Sequence, residues 1–440
     1  MTGLLAKERI VAPPGYNRWL VPPAALAIHL SIGQAYAYSV FNLPLAREGG
    51  WSLAQLGWIF TLFFVVLGVS AALFGRWLER VGPRKAGVVA ACCWGGGYLV
   101  AALGVRLHAL GLIYLGNGLI GGCGLGLGYI SPVSTLIKWF PDRRGMATGL
   151  AIMGFGGGAL IGAPLGNSLM QRFASGGGTG VWQTFVVMGA IYFVAMLAGA
   201  FLYRLPPEGW RPAGWAPSDK PRPLVSDRIV HVDVAWKTRQ FWLLWLVLCM
   251  NVSAGIGVLG QASPMIQEVF KGRVSAAEAA GFVGLLSLFN IAGRIGWASF
   301  SDVIGRQRTY AVFFLLGMLL YASVPFAGRI GSVPLFVGCL CLILSMYGGG
   351  FATIPAYLAD LFGPTYVGAI HGRLLTAWST AGVLGPVLLN YIRQYQIGRG
   401  VPPAQAYNVV MYLMTGLLAI GLLCNLAVRP VAREATINGS

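Results

Sequence analysis

The sequence predicts an all-α integral membrane protein with about twelve transmembrane helices in two pseudo-symmetric bundles of six. Hydrophobic residues make up 56% of the 440 residues and charged residues only 10%, whereas a soluble globular domain has about 25% charged residues. Long apolar stretches recur along the chain, and one polar segment divides them into two similar halves. These observations exclude a soluble globular fold.

Each apolar stretch is long enough to cross a hydrocarbon core of about 30 Å as an α-helix. The first stretch follows a short leader that contains Pro13-Pro14-Gly15, and it is too long for the core of a cleavable signal peptide. The predicted spans cover approximately residues 18–45, 52–75, 85–105, 109–137, 145–171, 181–203, 240–266, 276–301, 309–328, 333–359, 367–391 and 405–428.

The net charge of +18 is unevenly divided between the two sides of these spans. With the amino terminus in the cytoplasm, 22 of the 31 Lys and Arg fall in cytoplasmic segments, among them Lys220, Arg222, Arg228 and Arg433. Membrane proteins concentrate positive residues on that side. The sequence therefore predicts a multi-pass plasma-membrane protein, in a bacterial inner membrane, with both termini cytoplasmic and no nucleic-acid partner.

A polar segment separates two predicted domains. Residues 204–239 form a central cytoplasmic loop between an N-terminal bundle, residues 1–203, and a C-terminal bundle, residues 240–440. Residues 126–164 and 348–386 share Gly, Pro and aromatic positions at an offset of about 222 residues. Two parallel copies of a six-helix unit imply a pseudo-two-fold axis along the membrane normal, with a substrate cavity between the halves.

Arg294 lies in the middle of an otherwise uncharged span, residues 281–300. A guanidinium at the bilayer centre costs roughly 2.5–3.5 kcal/mol on insertion scales and keeps its proton. Because the sequence has no acid at that depth, Arg294 is predicted to bind an anionic substrate, and a guanidinium matches a carboxylate. Asn290 lies four residues earlier on the same face, where it either belongs to this site or makes an interhelical hydrogen bond.

Aromatic residues near the centres of other spans are further candidates. Tyr129 directly follows the Gly-rich run 124–128. Tyr347 and Phe351 are four residues apart and share a helix face. A phenol can hydrogen-bond a carboxylate while its ring packs against an alkyl tail. The alternative is that these rings only fill the core.

Two histidines fall within the spans. His29 shares a face of the first span with Tyr36, and it is interpreted as a hydrogen-bonded helix residue rather than a proton carrier. His371 is interpreted as a residue at the cytoplasmic start of the eleventh span.

Residues 75–85, Gly-Arg-Trp-Leu-Glu-Arg-Val-Gly-Pro-Arg-Lys, resemble the gating motif of the major facilitator superfamily, with Glu in the place of Asp. Residues 302–306 are a weaker counterpart after the eighth span. An acid at a helix end beside basic residues can hold the two halves together in one state and release them in another. The alternative is an ordinary positive loop. The predicted gating residues are Glu79, Arg80, Arg84, Asp302 and Arg306.

Within that superfamily, residues 138–151 and 372–386 are similar to the oxalate/formate antiporter family, which is related to the monocarboxylate transporters. The resemblance implies a cation on the eighth helix, which matches Arg294. Oxalate exchangers carry a second cation on the eleventh helix, where this chain has Trp378, so the resemblance favours one-carboxylate substrates. It implies substrate contacts from Tyr36, Tyr129, Phe155, Tyr347, Phe351 and Trp378.

The predicted function is secondary transport of small organic anions, and of monocarboxylates of the lactate, pyruvate and formate class in particular, by a monomer. Proton symport and exchange against a counter-anion both remain open. One alternative is an oxalate/formate-type dicarboxylate antiporter, and another is a proton-coupled drug exporter, which the scarcity of acids within the spans disfavours. The spans contain no paired carboxylates, His-rich cluster or Ser/His/Asp set, so an enzyme is not predicted, nor is a metal or cofactor site.

Overall fold

The computed structural model describes residues 3–174, 178–215 and 229–431. In these ranges the chain is helical, without a β-strand of its own, and ten helices are long and apolar enough to cross a membrane. The predicted all-α membrane fold is confirmed. The part of the predicted central loop that carries Lys220, Arg222 and Arg228 lies outside the described residues, as does Arg433.

The N-terminal bundle contains six spans. The first, α1, is interrupted and runs through Val21–Ile32, the 3-10 stretch Gly33–Phe41 and Asn42–Gly49. The others are α2 Leu53–Val81, α3 Pro83–Arg106, α4 Leu110–Trp139, α5 Arg144–Phe173 and α6 Val181–Leu202.

The C-terminal bundle repeats this order. Its spans are α7 Arg239–Val269, α8 Ala276–Ile304, α9 Arg306–Arg329, α10 Val333–Phe362, the broken helix α11 Val367–Leu374 with Thr376–Gly398, and α12 Asn408–Leu426. The spans α1 and α11 are the two of the twelve that fall outside the ten long apolar helices, and each is interrupted: α1 by its 3-10 stretch and α11 at Leu375. Mid-helix 3-10 stretches and breaks are common at functional hinges.

Equivalent helices of the two bundles match closely. The helices α2 and α8 both have 29 residues, and α3 and α9 both have 24. Between them stand Gly82 at φ 84° and Gly305 at φ 90°, a left-handed backbone region that glycine enters without the steric cost of a Cβ. The chain therefore reverses in the same way in both halves. The domain boundaries at residues 203 and 240 stay a prediction.

The bundles meet along two seams, where α5 packs along α8 and α2 packs along α11. The residue pattern of α5 permits this approach, because its buried face is rich in small residues such as Gly145, Gly149 and Gly156. Small residues allow helix backbones to come close in a membrane. The seams set the position of Arg294, which projects from α8 between the two bundles.

Candidate functional site

The side chain of Arg294 is fully buried and only partly hydrogen-bonded. Its Nε donates to Asn290 Oδ1 at 3.0 Å, and Nη1 donates to the Ile152 carbonyl of α5 at 3.0 Å. The third nitrogen, Nη2, has no hydrogen-bond partner among the described residues. In that part of the chain no carboxylate forms an ion pair with Arg294, so its charge is uncompensated.

Two aromatic rings flank the guanidinium, one from each bundle. The Arg294 Cζ atom lies 5.8 Å from the ring centroid of Phe155 and 5.7 Å from that of Phe351. Cation–π attraction over a desolvated ring is worth about 2 kcal/mol. The rings offset part of the burial cost of the cation while leaving Nη2 free to donate.

The six aromatic residues predicted from the resemblance form one continuous cluster, called the aromatic cluster below. Phe155 contacts Tyr36 at 4.8 Å, Tyr129 at 5.5 Å and Trp378 at 5.5 Å between ring centroids. Phe351 lies 4.3 Å from Trp378 and 5.2 Å from Tyr347. The structure thus brings Arg294, Asn290 and the aromatic cluster together, with residues from α1, α4, α5, α8, α10 and α11.

Several polar atoms of the aromatic cluster have few or no partners. The Tyr36 and Tyr347 hydroxyl oxygens lie 3.5 Å apart across the two bundles. The Tyr129 hydroxyl and the Trp378 Nε1 are buried without a hydrogen-bond partner among the described residues. Buried polar groups without partners are rare in proteins and call for an explanation, such as a ligand that supplies the partner.

His371 lies near the start of α11, as the sequence predicted, but it is a buried helix residue and not a residue at the helix end. It lies inside the first segment of α11, is 1% exposed, and its ring stands 5.9 Å from that of Tyr129. Neither ring nitrogen has a partner among the described residues. The sequence contained a signal for this position, because His371 and Trp378 are seven residues apart and would share one face of a helix.

A cavity of about 340 Å³ lies next to this cluster and is lined by both bundles. Along α8 its lining residues Val283, Ser287 and Asn290 precede Arg294, whereas Asp302 lies beyond it at the helix end. The cavity therefore lies on the side of Arg294 away from Asp302. Tyr36 and Gly156 line it from the N-terminal bundle.

At the other side, called the Asp302 end below, the bundles are bound together. The Asp302 carboxylate accepts hydrogen bonds from the backbone N–H of Gly145 at 2.8 Å and of Met146 at 2.9 Å, in the first turn of α5. Arg306 also donates to it, at 2.5 Å. A carboxylate at a helix N-terminus is favoured both by free N–H groups and by the helix dipole.

Glu79 makes the equivalent contact from the other bundle. It accepts a hydrogen bond from the backbone N–H of Gly368, at the start of α11, at 3.1 Å. Within its own bundle it pairs with Lys138 at 2.7 Å. Each acid at the end of α2 or α8 therefore caps a helix of the opposite bundle.

Sequence reasoning missed other contacts at this end. Asp360 of α10 pairs with Arg306 at 3.1 Å and, across the bundles, with Arg144 at 2.9 Å. Asp233, just before α7, pairs with Arg76 of α2 and Arg373 of α11, and the hydrogen bond from Arg373 lowers the pKa of Asp233. The segment that contains Asp233 is therefore bonded to both bundles, to α2 and to α11.

Two predicted gating residues have other surroundings. Arg84 donates to the carbonyls of Leu4, Phe201 and Tyr203, all in the N-terminal bundle. Arg80 is exposed at the end of α2. Among the described residues, neither Arg80 nor Arg84 makes a hydrogen bond across the bundles, unlike Glu79 and Asp302.

The close packing of α10 on α8 gives a testable consequence. We expect Gly348→Ala to lower the Tm of the purified protein, because the new Cβ would lie 2.7 Å from Asn290 Oδ1 and still closer to the Asn290 carbonyl oxygen. Overpacking of this kind costs about 1–3 kcal/mol. Gly338→Ala, in the same helix with open space around the new Cβ, is the matched control. Equal melting temperatures for the two variants would contradict this packing.

Comparison with known proteins gives consistent results. Residues 24–386 match the sequence model of the Major Facilitator Superfamily. The oxalate:formate antiporter of Oxalobacter formigenes is 27% identical over 84% of this chain and 83% of its own length. Monocarboxylate transporter 11 of Homo sapiens is 28% identical over 87% of this chain and 78% of its own length. The crystal structure of FucP in the outward conformation superposes with a TM-score of 0.69 at 14% identity, covering 94% of this chain and 100% of that one.

Proposed function

Because this chain belongs to the major facilitator superfamily of transporters, we propose that it carries small organic anions, and monocarboxylates in particular, by alternating access around Arg294. The observation that carries the proposal is the free Nη2 of Arg294, a buried donor on a cation that lacks a counter-ion among the described residues. A bound carboxylate would supply both the missing acceptor and the missing charge. The similarity to an oxalate:formate antiporter and to monocarboxylate transporters supports the same substrate class.

The aromatic cluster determines which chemical groups the substrate can carry besides its carboxylate. Tyr129 and Trp378 offer free donors from a hydroxyl and an indole N–H, while the ring faces of Phe155 and Phe351 offer apolar contact. This combination suits a small acid with one carboxylate, an apolar or hydroxylated tail and no second charge. Trp378 stands where the resemblance leads one to expect a second cation, which disfavours the alternative of a dicarboxylate such as oxalate.

The contacts at the Asp302 end support an alternating-access mechanism. In this conformation Asp302 and Glu79 each cap a helix of the opposite bundle, while a cavity adjoins Arg294 on the other side. The substrate enters through that cavity and neutralises Arg294. The bundles then rock about the site, so that the cavity side closes and the Asp302 end opens.

The charge distribution supports an orientation. The Asp302 end carries the loops rich in Lys and Arg, so it faces the cytoplasm by the positive-inside rule, and the conformation described here is outward-facing. In this proposal both termini are cytoplasmic, the protein resides in a bacterial inner membrane, and the monomer is the working unit. The driving force is either a co-transported proton or an exchanged anion.

We expect lactate, pyruvate, formate and glycolate to compete with labelled L-lactate for uptake into proteoliposomes more strongly than oxalate at neutral pH. One guanidinium compensates one carboxylate, and an unpaired buried charge costs several kcal/mol. Oxalate should therefore compete at least about tenfold more weakly, since each 1.4 kcal/mol is a factor of ten.

Trp378→Lys tests the reason for this preference, because a second cation should restore competition by oxalate. If oxalate outcompetes every monocarboxylate in the wild type, the interpretation of Trp378 is wrong. Transport of a lipophilic cation without uptake of any acid would instead favour the drug-exporter alternative.

A further inference from the structure

His29 of α1 has hydrogen-bond geometry that a neutral imidazole cannot satisfy. The side chain is fully buried, and its Nδ1 lies 2.5 Å from the Ala151 carbonyl oxygen of α5. Its Nε2 lies 3.2 Å from the Tyr129 carbonyl oxygen of α4. Both ring nitrogens therefore face acceptors.

The protonation state decides whether these two contacts are favourable. A neutral imidazole carries one N–H, so one of its nitrogens would point a lone pair at a carbonyl oxygen. An imidazolium carries two N–H groups and donates to both carbonyls. Hydrogen bonding to the two carbonyls therefore favours the protonated ring.

The surroundings oppose that protonation while the transport site is empty. Burial disfavours any charge, and Arg294 adds a like charge, because its Nη1 donates to Ile152, the residue directly after Ala151 on α5. Among the described residues, the other titratable groups near His29 are Tyr129, with its ring centroid 5.3 Å away, and His371, whose ring stands 5.9 Å from that of Tyr129. Among the described residues no carboxylate forms an ion pair with His29 that would compensate a positive ring.

We propose that His29, which the sequence alone indicated to be a hydrogen-bonded helix residue rather than a proton carrier, is a proton-binding site that fills when a carboxylate binds Arg294. This inference rests on the proposed anion site. The bound carboxylate cancels the charge of Arg294, which removes the repulsion and leaves the two carbonyl acceptors to stabilise the imidazolium. The proton comes from the water on the side from which the anion enters, and it leaves His29 when the anion leaves Arg294. One anion and one proton then move together, without net charge.

The helix α5 connects the two sites physically. Its Ala151 and Ile152 carbonyls face His29 and Arg294, and its first turn is capped by Asp302 of the opposite bundle. A movement of α5 relative to α1 or α8 therefore changes the contacts of the proton site and of the anion site together. Coupling of this kind requires a shared element with two arrangements, and α5 contacts both bundles.

The test is isothermal titration of the purified protein with L-lactate at pH 6.5, in two buffers that differ in their heat of ionisation. At that pH lactate is already anionic, so any proton that accompanies binding is taken up by the protein. We expect about one proton per lactate for the wild type. His29→Gln and His29→Asn, which each keep one neutral donor, should bind lactate with no proton uptake.

Two variants serve as controls. His108→Asn, at an exposed position between α3 and α4, and His371→Gln should both retain the proton uptake of the wild type. In proteoliposomes, His29→Gln should lose lactate accumulation driven by a pH gradient while retaining lactate–lactate exchange.

The outcomes separate this inference from the proposed function. Absence of any lactate binding to the wild type would overturn the anion site itself. Lactate binding by the wild type without proton uptake would overturn only the role of His29, and this result needs no folded variant. Loss of proton uptake in His371→Gln, with proton uptake retained in a His29 variant, would likewise overturn it.

Discussion

Replacing Arg294 with alanine is expected to abolish carboxylate uptake while the protein still inserts and folds. The variant removes the guanidinium that meets the aromatic cluster from α8, and with it the charge that a bound anion would neutralise. Truncating one partner of a buried, hydrogen-bonded charge pair costs about 2–5 kcal/mol, which corresponds to at least about a 30-fold loss of affinity. Initial uptake of labelled L-lactate into proteoliposomes should fall to the level of empty vesicles.

Two further substitutions make the result specific. Arg294→Lys keeps the charge but loses the planar fork that reaches Asn290, Ile152 and a substrate together, so it should also fail substantially. Arg106→Ala, at an exposed position at the end of α3, removes an arginine far from the site and should transport normally. Wild-type uptake by a monodisperse Arg294→Ala protein would refute the proposed site.

The residues of the candidate site differ in how well the sequence alone revealed them. Arg294 was predicted because a permanent charge in an apolar span costs free energy on insertion and so indicates a functional role. Asn290 was predicted because it lies four residues earlier on the same helix face. Tyr129, Tyr347 and Phe351 were candidates from their positions in the spans, but the complete aromatic cluster came from the resemblance, because no periodicity separates a cavity wall from ordinary core. The twelve spans were predictable because bilayer thickness fixes their length, and the repeat was predictable because Gly, Pro and aromatic positions recur at a constant offset.

Other features depend on contacts between distant segments. The breaks in α1 and α11 leave no clear mark in composition. The pairing of Asp360 with Arg144 joins residues 216 positions apart, and the two carbonyls that face His29 are backbone groups of α4 and α5. Backbone acceptors carry no sequence signal, so the geometry of His29 could not have been predicted.

The two bundles use equivalent devices at the Asp302 end, and this symmetry argues for a shared gating role. Asp302 accepts from the N–H of Gly145, and Glu79 accepts from the N–H of Gly368. The two acids are 223 positions apart in the sequence, and so are the two glycines. Each hydrogen bond is therefore the repeat of the other. Both bonds cross between bundles and both must break before this end can open. In the proposed alternating-access mechanism, their combined free energy contributes directly to the balance between the two conformations.

Of Glu79 and Asp302, the acid with more hydrogen bonds across the bundles should have the larger effect on that balance. In Asp302→Asn one carboxylate oxygen becomes an NH₂ group, which cannot accept from the N–H of Gly145 or Met146 and loses the charge that Arg306 pairs with. Hydrogen bonds to charged groups contribute about 1.5–3 kcal/mol. We therefore expect the equilibrium to shift by about tenfold or more toward the conformation that is open at the Asp302 end, with slower turnover. Glu79→Gln should act in the same direction and less strongly, since only one of its bonds crosses the bundles.

Distances between spin labels can measure this shift independently of substrate affinity. Cysteines at Arg143 and Thr365, exposed in the α4–α5 and α10–α11 loops, would report the separation of the bundles in a background without the seven native cysteines. Asp302→Asn should add a longer distance, whereas Asp142→Asn, which breaks an ion pair with Arg18 inside the N-terminal bundle, should not. Because affinity within a single conformation is set near Arg294, any change in apparent lactate affinity should follow the shift in population. Unchanged distances and unchanged turnover in both Asp302→Asn and Glu79→Gln would leave these acids as ordinary helix caps.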